Sequence, residues 1–107
     1  MSDEQLKKIR EIACHYGYEA QSRQCMEEMA ELTQAINKFW RKQLECGNKP
    51  LNEIPFGTQE ENNIEEELID VQIMIYQMKY LHRISDIDFD NGIKRKLDRQ
   101  MKRIEKE

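Results

Sequence analysis

Glycine and proline are scarce in this 107-residue chain, at four and two copies, and no stretch alternates apolar and polar residues as a half-buried strand does. Cysteine is limited to Cys14, Cys25 and Cys46, an odd number with no two close enough for a metal knuckle. That excludes a zinc-ribbon reading and predicts free thiols in a reducing cytoplasm, with Cys14 and Cys25 on apolar helical stripes as core packing. There is no excess of positive charge. The formal net charge is -4, which weighs against a nucleic-acid binder but not against a small phosphorylated ligand. A glycine-rich phosphate loop is missing too. No apolar run approaches the length of a membrane span, and Ser2-Asp3-Glu4 lacks the basic head of a secretory leader. The expectation is a cytoplasmic protein with no membrane and no stable nucleic-acid partner.

What the chain does have is 38% hydrophobic and 36% charged residues, a balance that suits amphipathic helices with wet outer faces. A first helix is predicted from Ser2, where Ser2 and Gln5 form a capping box, with Leu6, Ile9, Ala13 and Tyr16 at helical spacing. Gly17 is the predicted break, as a C′ glycine. A second helix over 19–45 carries the stripe Cys25, Met29, Leu32, Ile36 and Phe39, and Gly47 and Asn48 end it. Pro50, Pro55 and Gly57 mark residues 47–61 as a long loop, a candidate lid or a plain crossover. The third helix is predicted to open near Asn63, capped with Glu66, with the stripe Ile64, Leu68, Val71, Ile75 and Met78. After a joint over 84–88, a fourth runs over 88–106 with Phe89, Ile93, Leu97, Met101 and Ile104 on one face. The fold class expected is all-α: a single four-helix-bundle-like domain over 1–107, whose leftover apolar surface calls for an oligomer.

Two acidic segments carry the chemistry. Glu28 and Glu31 are spaced i,i+3, as are Glu67 and Asp70, so each pair lies on one helix face a turn apart. Each carboxylate directly precedes a stripe residue: Met29, Leu32, Leu68 and Val71. Extended along its helix, the first line reads Gln24, Glu28, Glu31, Ala35 and Lys38, and the second Glu67, Asp70, Met74 and Gln77. Packed antiparallel, the helices would bring four carboxylates across one groove. Unneutralised, such a set is costly, because desolvation and mutual repulsion oppose ionisation. A hard divalent cation such as Mg2+, which takes oxygen ligands at roughly 2.0–2.1 Å, removes that cost. A di-iron bundle wants Glu-x-x-His pairs, and His15 and His82 lie elsewhere. The bland alternative is that these acids simply solvate helix faces, as Glu27, Glu65 and Glu66 are expected to do.

The two segments together resemble the all-α nucleoside triphosphate pyrophosphohydrolases of the MazG-like type. That family's motif is Glu-Glu-x-x-Glu on one helix and Glu-x-x-Asp on the next. Here these read Glu27-Glu28-Met29-Ala30-Glu31 and Glu67-Leu68-Ile69-Asp70, flanked by Gln24, Cys25 and Leu32, and by Glu66 and Val71. The resemblance covers roughly residues 12–104. It implies Mg2+-dependent hydrolysis of nucleoside triphosphates between the α- and β-phosphates, giving a monophosphate and pyrophosphate. It implies Glu28, Glu31, Glu67 and Asp70 as metal ligands, and a homodimer or homotetramer; from the paired carboxylate face, Glu28 or Glu31 is the expected catalytic base. It also implies phosphate contacts from basic side chains of the last helix, for which Lys96, Arg99 and Arg103 line up at helical spacing. Those residues otherwise read as a solvated C-terminal face. The stretch between Glu31 and Glu67 is longer than the family's usual one, which leaves the substrate open. Trp40, Phe39 and the tyrosines are candidates for base stacking that also suit core or interface roles. The competing readings are a non-enzymatic helical interaction module and a metal-dependent phosphohydrolase for other nucleotides.

Overall fold

The computed structural model describes residues 1–45 and 59–107, which form three α-helices and no strand. Helix α1 spans Asp3–Glu45, α2 spans Gln59–Leu81 and α3 spans Asp86–Glu105. The capping box is in place: Ser2 N donates to Gln5 Oε1 at 3.0 Å, and Gln5 N donates to Ser2 Oγ at 3.1 Å.

The first two expected helices are two arms of α1, joined end to end at Gly17 with no loop between them. Gly17 has φ 85° and ψ 172°. This is not the left-handed helical conformation of a C′ cap but an extended positive-φ region open essentially to glycine alone. A Cβ there would meet nothing within 4 Å, so the constraint is on the backbone and not on space. The expected loop over 47–61 lies outside the described residues except for positions 59–61, which are helical. Helix α2 therefore starts at Gln59 and not near Asn63. Glu60 and Glu61 in its first turn suit the positive end of the helix dipole. Asn63 does not cap; its Oδ1 accepts from Gln59 Nε2 at 2.9 Å.

Helices α1 and α2 pack antiparallel: Tyr18 pairs with His82, and Gln21 with Gln77. Ile9, Ala13, Cys25, Ala35, Val71 and Met74 are buried between them. This contact face is turned from the predicted stripes by about one residue. Along α1 it follows Gln21, Cys25, Glu28, Leu32 and Ala35, while Met29 and Ile36 are exposed. Along α2 it follows Ile64, Glu67, Val71, Met74 and Gln77, while Leu68 is 52% exposed. Two of the acids predicted to flank the core, Glu28 and Glu67, are part of the packing face itself, while Glu31 and Asp70 are exposed.

Helix α2 ends in a Schellman motif: Ile84 N donates to Lys79 O at 2.9 Å and Arg83 N to Tyr80 O at 3.1 Å, with Arg83 at φ 56°. Ser85 then caps α3, its Oγ accepting from Asp88 N at 3.1 Å, so α3 begins two residues before the expected Asp88. Lys79 holds the corner. Its Nζ lies 3.1 Å from Asp86 Oδ1 and 4.3 Å from the centre of the Phe89 ring. Beyond this corner α3 packs against neither α1 nor α2, and none of its residues is buried. No helix among the described residues is long and apolar enough to cross a membrane.

Candidate metal centre

The level at which the two helices meet is set by a buried pair of amides. Gln21 Nε2 donates to Gln77 Oε1 at 2.7 Å, and Gln77 is only 2% exposed. Seven residues on from Gln21 is Glu28, and seven back from Gln77 is Asp70; three further in the same directions are Glu31 and Glu67. Two antiparallel helices with the same rise bring these positions to matching levels. The i,i+3 spacing keeps the two members of each pair a turn apart on one side of their own helix.

The result is a compact trio. One carboxylate oxygen each from Glu28, Glu31 and Glu67 lie within 4.8 Å of one another. Asp70, expected as a fourth ligand, is exposed and falls outside this trio, although its charge acts on Glu28. Glu28 Oε1 accepts from Gln24 Nε2 at 2.7 Å. Glu28 Oε2 and Glu67 Oε2 are both buried with no hydrogen-bond partner among the described residues. Burial pushes the Glu28 carboxyl above the ordinary carboxylate range. The Gln24 amide pulls it back down, and the neighbouring carboxylates of Glu31 and Asp70 push it up again.

Two orphaned carboxylate oxygens beside a third acid are what a hard cation satisfies. It offers positive charge to a donor set made only of oxygens, where a zinc or di-iron site would draw on cysteine or histidine. The residues present therefore fit a Mg2+-type ion, with Glu28, Glu31 and Glu67 as its nearest donors and Asp70 at the edge. A cavity of about 350 Å³ opens beside them, between Glu31, Ala35 and Lys38 on α1 and Glu60, Asn63 and Glu67 on α2.

The basic residues expected to serve this site are placed elsewhere in the single chain. Lys96, Arg99 and Arg103 are exposed on α3. Arg99 lines a groove with Lys94, Arg95 and Lys102 that none of the acidic trio reaches, and Lys96 and Arg103 do not line it. Trp40 is exposed and does not line the cavity beside the acids. Another cavity, of about 530 Å³, lies at the far end of the helix pair among Ile9, Tyr76, Lys79 and Tyr80, and holds none of the acidic trio. Two features escaped the sequence reasoning. Gln77 lies on the line of Glu67, Asp70 and Met74, but its pairing with Gln21 does not show, because a search for apolar stripes passes over matched amides. Arg41 and Lys42, which continue the cavity wall beyond Lys38, read as ordinary solvated charge.

No family model matches the chain, nor does any curated protein or solved structure.

Proposed function

We propose that the protein is a Mg2+-dependent nucleoside triphosphate pyrophosphohydrolase, cleaving between the α- and β-phosphates to release a monophosphate and pyrophosphate. The observation that carries this reading is the trio Glu28, Glu31 and Glu67, with two buried oxygens that have no partner among the described residues. A cation held by Glu28, Glu31 and Glu67 would supply positive charge to offset the phosphates and would make a bound water more acidic. The chain's own residues do the rest. Gln24 fixes one oxygen of Glu28, and the other is buried without a partner among the described residues. Glu31, which is exposed and also lines the adjoining cavity, is placed to take the proton of an attacking water, with Glu28 the other candidate. Asp70 adds negative charge at the rim and completes the set that the motif resemblance suggests. Catalysis of this kind is mostly positioning and electrostatics.

The working unit in this reading is a homodimer or homotetramer in the cytoplasm. Ile93, Leu97, Met101 and Ile104 form an exposed apolar line on α3, and Met29, Ile36 and Trp40 form another on α1. Assembly would cover them, and it is also the route by which Lys96, Arg99 and Arg103 of one chain would come to serve the acids of another. The test is a panel of common and modified nucleoside triphosphates incubated with and without Mg2+, with products identified by phosphorus NMR. Metal-dependent monophosphate and pyrophosphate are expected. Orthophosphate plus a diphosphate would mean that a different bond is broken. No turnover, from folded protein that also fails to bind Mg2+ or Mn2+, would overturn the reading in favour of a helical interaction module.

A further inference from the structure

We infer that Lys38 and Arg41 hold the far end of a polyphosphate chain whose near end lies at the acidic trio. The inference rests on the proposed metal site and adds the direction in which the substrate runs: along α1 toward its C-terminal end.

The cavity beside the acids does not stop at Lys38. A second one, of about 400 Å³, continues from it and shares Lys38, Glu60 and Asn63 as lining. Its α1 wall then passes to Arg41 and Lys42. The two form one trough that is acidic at Glu31 and Glu67 and basic at its other end. Glu31 and Lys38 are seven residues apart on one face of α1, which at the helical rise is about 10 Å. A single phosphate seated at the acids is too small to touch both ends. A chain of linked phosphates, met by a long flexible lysine stem, spans them. Arg41 follows at i+3 on the same side and offers a planar fork to phosphate oxygens. Neither Lys38 nor Arg41 carries an ion pair among the described residues. Ala35 keeps the floor between the two ends low, since its methyl leaves room where a longer side chain would fill the trough. Glu60 on the α2 wall repels an anion, so the chain is expected to lie against α1, where the cations are. The basic cluster on α3 cannot supply this contact within one chain, because α3 diverges from the helix pair.

The test compares binding of tripolyphosphate and orthophosphate, each with Mg2+, by calorimetry in the wild type, Lys38→Ala and Arg41→Ala. Both side chains are exposed, so the variants should keep the wild-type helical signal and melting temperature. Loss of one charge-assisted phosphate contact should weaken tripolyphosphate about tenfold or more in each variant. Orthophosphate binding and Mn2+ binding at the acids should not change. Lys38→Glu should weaken tripolyphosphate further. Wild-type tripolyphosphate affinity in both alanine variants would overturn the inference, as would a wild type that binds no tripolyphosphate. The two readings fail separately. Nucleoside triphosphate hydrolysis unaffected by either substitution removes the trough and leaves the activity. Tripolyphosphate binding that depends on Lys38 and Arg41, without any hydrolysis, keeps the trough and removes the activity.

Discussion

Glu28 sits where its charge is least welcome. It is half-buried, it has Glu31 and Asp70 nearby, and one of its oxygens has no partner among the described residues. Its folded-state pKa is raised, so the folded protein holds this proton more tightly than the unfolded chain does. That contribution to stability is complete below the ordinary carboxylate range and is lost as pH rises through the raised value. In metal-free protein at neutral pH, Glu28→Gln should therefore melt at a higher temperature than the wild type. The gap should close as the pH is lowered into the range where Glu28 protonates. Added Mg2+ should reverse the order, because only the wild type keeps the full donor set; thermal scans over pH, with and without Mg2+, check all three. Glu31→Gln is the complementary change. It should abolish turnover and weaken Mn2+ binding while leaving the circular dichroism spectrum intact, and full activity would remove Glu31 from the site. The i,i+3 pairing of these acids was legible in the sequence because spacing on a helix fixes direction. That Asp70 stays at the rim was not, since it depends on how α1 and α2 are rotated about their own axes.

At the scale of the helices, the break at Gly17 and the line of α3 were readable from glycine chemistry and periodicity. The contact face was not. Met29 and Leu68 look like core by spacing, yet the packed line runs through Glu28, Ala35, Glu67 and Met74. A stripe search rewards large apolar residues, whereas the close approach of two helices favours a small one such as Ala35 and tolerates paired amides. Those amides give a sharp prediction. Gln77→Leu leaves the Gln21 amide buried without its partner and should cost about 1–3 kcal/mol in chemical denaturation. The double change with Gln21→Leu should recover much of that loss, because two apolar groups replace a matched pair. The Schellman corner gives another. Arg83 adopts a left-handed conformation that glycine takes without penalty, so Arg83→Gly should raise stability by up to about 1 kcal/mol.

For the whole molecule, the telling feature is how little of α3 is engaged. Its apolar line Ile93, Leu97, Met101 and Ile104 is exposed and finds no partner on α1 or α2. If a second copy covers it, melting temperature should rise with protein concentration, since association favours the folded state by mass action. Leu97→Glu should shift the protein to a smaller species in sedimentation experiments and remove that concentration dependence, while the α1–α2 pair keeps its helicity. The Gln21–Gln77 bond has a consequence on a different axis, that of descent. The carboxylates repel one another and offer the helices no reason to meet at their own level; a neutral pair two turns away does it for them. Glutamates at the centre can then be exchanged singly, for aspartate, glutamine or histidine, without the helices sliding. In the proposed reading, the donor set could then change from one residue to another while the alignment that makes the site possible stays fixed.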